Sequence, residues 1–215
     1  MPAGPRILFL VQCSKGKHPG GVPALRGPSA PALLPRALAT RLRSARARLA
    51  GRAGLDESLL MPAWDRFRGT AYAAARDAGA APDPRAPVVI LSGAYGLLLA
   101  GEPAGLYDRK LTLSDWPDGL LEECLPAAAR ALGCERVVAL CSASGDHARL
   151  VRRADWRRAP GVRVDLGAPD GAGRGGLQVL VPRAAGQALA ALLSDGMKAG
   201  WTSSDGLSIA WDRVA

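Results

Sequence analysis

The chain has no apolar run approaching the 18 residues of a membrane span, so a transmembrane helix is not expected. Its first six residues precede only five or six apolar ones, too few for a signal peptide, and a cytoplasmic location is expected. Cysteine is scarce and scattered: Cys13, Cys124, Cys134 and Cys141 form no C-x-x-C pair, which argues against both a zinc site and a disulfide framework. With only two histidines in 215 residues, a catalytic metal is not expected either, and no cofactor is called for. Acidic residues are missing from the first quarter: residues 1–55 hold ten Lys or Arg and no Asp or Glu. The other 18 basic residues nearly balance the 19 acidic ones, so the net charge of +9 resides at the N-terminal end. Such a cluster attracts a phosphate-bearing partner, although an arginine-rich helix facing solvent gives the same composition.

What is present reads as one α/β domain, with a mainly parallel sheet flanked by helices. Residues 6–12 and 136–140 and the run Val88-Val89-Ile90 are short, continuous and apolar, the pattern of buried parallel strands. Helices are expected over residues 32–52, 66–78 and 120–132, and a further helical segment follows the polar turn that ends at His147, running to about Arg153. A core over residues 1–155 and a small mixed extension over 156–215, packed on the same domain, complete the expected organisation. The extension is read as strands at 161–165 and 177–181, a glycine-rich link at 171–176, a helix over 184–197 and a strand or hairpin at the end.

Each of the three apolar runs ends in a polar turn containing serine: Ser14, Ser92 and Ser142. Ligands of open α/β sheets bind beyond the carboxyl ends of the strands, so these turns predict a pocket there. The central stretch is Leu91-Ser92-Gly93-Ala94-Tyr95-Gly96-Leu97-Leu98, in which Gly93 and Gly96 would let backbone approach a ligand beside the Ser92 and Tyr95 hydroxyls. An ordinary strand-to-helix turn fits the same residues. Cys13-Ser14-Lys15-Gly16-Lys17 resembles an anion-cradling loop without Walker A spacing. Cys13 is either a nucleophile whose pKa Lys15 and Lys17 lower, or a small apolar residue at a strand end. Phe67-Arg68-Gly69-Thr70-Ala71-Tyr72 mixes aromatic and cationic groups suited to a base or a phosphate, though such aromatics are also ordinary core contacts. The helix over 32–52 would offer Arg41, Arg43, Arg46 and Arg48 on a basic outer face.

Asp108 and Asp146 are the carboxylates expected at the pocket, with Tyr107 beside Asp108. His147 lies near Ser142 and Ser144, but no Ser-His-Asp arrangement can be assigned. A carboxylate near hydroxyls and cations suits N-glycosidic chemistry, and equally suits recognition of a nucleobase or phosphate without reaction.

Taken in order, these motifs resemble the YaaA-like peroxide-stress protein family and its shorter relatives of unassigned function. The resemblance rests on the Ser14-Lys15-Gly16-Lys17 loop, on Phe67 to Tyr72 with Arg68 in place of the family's Lys, and on Leu91 to Leu98. Leu106-Tyr107-Asp108-Arg109-Lys110-Leu111 follows, with Leu106 where the family has Pro, and the Ser142 to Asp146 turn completes the match. It implies an α/β fold similar to uracil-DNA-glycosylase-like domains, a pocket of the kind described, and a DNA-binding role in oxidative stress. On this reading Ser14, Lys15 and Lys17 hold phosphate, Tyr72 and Tyr95 stack on a base, and Asp108 or Asp146 is the general acid/base. The expected function is binding of nucleic acid or a nucleobase-containing ligand, with base release or exchange as the reaction. A non-catalytic DNA-binding protein and a small-molecule biosynthetic enzyme are the alternatives.

Overall fold

Alternation along each strand sends neighbouring residues to opposite sides of the sheet, and both sides are apolar. In β1 (Ile7–Gln12) Leu8 and Leu10 enter one core while Phe9 and Val11 enter the other. The same division holds for β3 (Val88–Ser92) and β6 (Arg136–Leu140), so helices must cover both faces. The computed structural model describes residues 6–83, 86–170, 179–194 and 200–215.

Six strands form the main sheet in the order β4-β3-β1-β6-β7-β8, where β4 is Gly96–Leu99, β7 is Arg163–Pro169 and β8 is Ile209–Arg213. The four central strands run parallel, and β4 and β8 pair antiparallel at the edges. Against one face lie α1 (Arg36–Ala53), α4 (Leu120–Ala131) and α5 (Asp146–Arg153), through residues such as Leu42, Leu125 and Leu150. The single turn α2 (Ala63–Arg66), α3 (Thr70–Asp77) and α6 (Leu180–Ser194) cover the other, through Trp64, Tyr72 and Leu189. A separate two-stranded antiparallel sheet joins β2 (Asp56–Pro62) to β5 (Pro103–Leu106).

The α/β class and mainly parallel sheet agree with the sequence reading; several local expectations do not. The run after Ser92 folds straight back as β4, because Leu97, Leu98 and Leu99 continue the apolar pattern of a strand. The helix expected over 66–78 begins only at Thr70 as α3; Phe67 to Gly69 are non-helical and separate it from the single turn α2. Leu180 and Val181, expected in a strand, open α6 instead; residues 177–178 and the link at 171–176 lie outside the described residues. An apolar run of this length is compatible with either element, and burial against α3 decides. No helix among the described residues is long and apolar enough to cross a membrane.

Candidate functional site at the β1–β6 crevice

From β1 the chain crosses to β3 on one side, whereas from β6 it continues to β7 on the other. The loops leaving β1 and β6 therefore diverge, which opens a crevice at the carboxyl ends of these two strands. A cleft of about 440 Å³ lies there. It is lined by Gln12, Cys13, Ser14, Lys15 and Lys17 after β1, by Ser142, Gly145 and His147 after β6, and by Asp108, Arg109 and Lys110. The Ser142 N–H donates to Gln12 Oε1 at 3.4 Å, joining the two loops across the crevice.

The β1 loop is held by its own polar groups. Ser14 Oγ donates to the Gly16 carbonyl at 2.8 Å and accepts from the Gly69 N–H at 3.1 Å. Lys17 Nζ donates to the Ser14 and Lys15 carbonyls at 3.1 and 3.3 Å, and lies 4.0 Å from the centroid of the Tyr107 ring. Burial lowers the Lys17 pKa, against the opposing pull of Cys13 and Asp108. Lys15, Asp108 and Lys110 are exposed at the mouth. Arg109 is committed to Asp115, donating from Nε at 2.9 Å and from a terminal nitrogen at 2.6 Å. Three ammonium groups thus face one carboxylate in the cleft, a net attraction for an anion.

Segment 108–110 reaches the cleft because Gly93 has no side chain. A Cβ at Gly93 would lie 2.3 Å from the Arg109 carbonyl oxygen and 2.6 Å from that of Lys110. The role of Gly93 is therefore to seat this segment on the end of β3. Gly96, at φ +70°, turns the chain into β4 against Leu121 and Trp116.

Several residues expected at the site are turned away from it. Ser92 is fully buried, with its Oγ 2.7 Å from the Tyr107 hydroxyl and accepting from the Tyr95 N–H. Tyr95 donates to Glu57 Oε1 at 2.7 Å and accepts from the Gly105 N–H, which ties the β3–β4 turn to the small sheet. Tyr72 stacks on Phe67 and donates to the Gln12 carbonyl at 3.0 Å. Neither ring is free to stack on a base, because the aromatic groups pack on one another below the β1 loop. Tyr107 belongs to that buried cluster and does not line the cleft.

Asp146 opens α5, where it accepts from the Leu113 N–H at 3.1 Å and from Arg149 at 2.8 Å. Each of its oxygens accepts a hydrogen bond within the protein, and Asp146 is not among the residues that line the cleft. Arg68 is exposed outside the cleft, its stem against Gly16. The basic helix face is also smaller than expected. Arg46 points inward, donating to the Tyr95 carbonyl at 2.8 Å, to the Leu97 carbonyl, and to Glu102 Oε1 at 2.7 Å. Arg41 pairs with Glu123, while Arg43 and Arg48 are exposed.

His147, with Gln12, Arg109, Lys110 and Gly145, is among the lining residues not expected at the site. It is 7% exposed, and its Nε2 lies 4.0 Å from Cys13 Sγ. Burial lowers its pKa to about 4, against the opposing influence of Asp146, so the imidazole is neutral at pH 7. Its sequence signal was its place beside Ser142 and Ser144 in the polar turn after an apolar strand, from which no catalytic arrangement could be assigned. No protein-family model, curated protein or solved structure matches the chain.

Proposed function

We propose that the β1–β6 cleft binds a phosphate-bearing, nucleobase-containing ligand, in keeping with the resemblance to the YaaA-like family. The observation that carries this reading is the convergence of Lys15, Lys17 and Lys110 with Asp108 in one cleft at the strand-order reversal. In this assignment Lys15, Lys17 and the Ser142 hydroxyl hold the phosphate. Asp108, the one carboxylate among the lining residues, accepts hydrogen bonds from sugar hydroxyls or acts as the acid/base of N-glycosidic cleavage. The base is held by the cleft walls, since Tyr72 and Tyr95 are occupied elsewhere.

Calorimetric titration with nucleoside monophosphates and the matching nucleosides tests this. The monophosphates should bind at least about tenfold more tightly, a difference of roughly 1.4 kcal/mol, and Lys15→Ala with Lys17→Ala should abolish the preference. Equal affinity for both forms would sink the reading. Released base, measured by chromatography in the wild type and absent in Asp108→Asn, separates an enzyme from a binder.

A nucleic-acid ligand is a second reading, favoured by the placement of α1. The last turn of α1 touches the cleft segment: the Asp108 N–H donates to the Ala53 carbonyl at 3.3 Å and Arg109 reaches the Arg52 carbonyl at 3.4 Å. The exposed Arg43 and Arg48 therefore continue from the cleft mouth along one helix. A single strand lying there would bind with strong salt dependence.

A further inference from the structure

Cys13 is the one cysteine of the four that keeps partial exposure, being half-buried at the cleft; Cys124, Cys134 and Cys141 are 0%, 5% and 3% exposed. Its Sγ shares the cleft with His147 Nε2 at 4.0 Å, the outer limit of a hydrogen bond to sulfur; nucleophile–base contacts are often loose before substrate binds and tighten in the complex. We propose that Cys13 and His147 are a nucleophile–base pair that cleaves an ester or amide of an anionic small molecule through a Cys13 thioester. The anionic substrate class rests on the cation cluster argued above; the pair itself does not.

The groups around each partner fit this chemistry. Burial raises the Cys13 pKa, while the Gly93 backbone, Lys17, the Leu111 backbone and Tyr107 favour the thiolate. Tyr72 is also within electrostatic reach of the sulfur, and Asp146, Lys110 and the Leu91 backbone act on His147. Cys13 thus rests as a neutral thiol beside a neutral imidazole, and charge separates only as the reaction proceeds. In the first step the Sγ–H proton passes to His147 Nε2 as sulfur bonds to the carbonyl carbon. The negative charge that develops on the carbonyl oxygen lies beside Lys17. The carbon–leaving-group bond then breaks, and the leaving group departs with the proton from His147. Water attacks the thioester while His147 takes its proton, the C–S bond breaks, and that proton returns to sulfur. The products are the carboxylic acid and the alcohol or amine.

Two activated esters test the proposal: 4-nitrophenyl acetate, which is neutral, and mono-4-nitrophenyl succinate, an anion. Wild-type protein should release nitrophenolate in a stoichiometric burst, with the acyl group on Cys13 by peptide mass spectrometry, and Cys13→Ser should show none. The burst rate should be nearly flat from pH 5 to 8, because His147 stays unprotonated there. A His147→Gln variant, checked for folding by its thermal melt, should instead rise roughly tenfold per pH unit as free thiolate forms. If that variant does not fold, the wild-type profile decides: a tenfold rise per unit overturns the pair. The succinate ester should acylate at least tenfold faster than the acetate at low salt. Equal rates overturn the anionic class together with the binding reading. Absence of a burst while nucleotides still bind overturns the pair alone.

Discussion

Ser92 and Ser142 each follow an apolar strand of the same sheet, yet Ser92 is fully buried and Ser142 lines the cleft. Their local sequences are alike; their connections differ. After Ser92 the chain turns back as the antiparallel β4, which seals the strand end and draws Ser92, Tyr95 and Gly96 into packing. After Ser142 it departs toward β7, away from the direction taken after β1, and leaves its polar groups facing open space. Whether a polar strand end becomes a site is therefore decided by where the chain goes next. The sealed end should respond to mutation through stability, the open end through binding and pH.

The largest stability effect is expected from Arg46→Ala beside the sealed turn. It leaves Glu102, buried and accepting from the Ala30 and Leu99 N–H groups, without its cation, and should cost about 3–5 kcal/mol in denaturant unfolding. A loss under about 1 kcal/mol would return Arg46 to the surface face. Next in size is the pH response of the open end. His147 is held at about 4 in the folded protein, against about 6.5 unfolded, so the unfolded chain takes up the extra proton below pH 6.5. The stability that follows from a neutral His147 is complete above pH 6.5 and is lost as pH falls toward 4, on the order of 3 kcal/mol in all. Melting curves of wild type and His147→Gln should approach one another over that interval; parallel curves would refute the assignment.

Tyr95→Phe should cost about 1–3 kcal/mol, since it strands the Gly105 N–H in a buried position, and should leave nucleotide affinity unchanged. A selective loss of affinity would mean that the sealed turn contacts ligand after all. The smallest stability change belongs to Arg43→Ala with Arg48→Ala, within about 0.5 kcal/mol. That pair should instead flatten the salt dependence of single-strand binding, as seen by fluorescence anisotropy.

The parallel strands and the helices α1, α4 and α5 were legible because continuous apolar runs and 3.6-residue periodicity report burial directly. The cleft was legible in outline, since Cys13 to Lys17 and Ser142 are polar clusters at parallel strand ends. What the residues could not convey was orientation. Tyr72, Tyr95 and Tyr107 have the composition of a binding surface, but each hydroxyl finds a partner inside the protein and each ring packs on another. Arg46 sits one turn from exposed arginines and was indistinguishable from them until Glu102 was placed opposite. The small sheet was hidden because β2 opens with Asp56, Glu57 and Ser58, without the alternation of a half-buried strand.

A guanidinium in the interior links these regions. Arg66 is fully buried and donates to the carbonyls of His18, Leu59 and Ala104, which belong to the β1 loop, β2 and β5. Three stretches distant in sequence thus share one donor, and none can leave it without stranding the charge. Their amides should exchange with deuterium as a single opening unit, so the loop that carries Lys17 takes its local stability from a sheet outside the cleft.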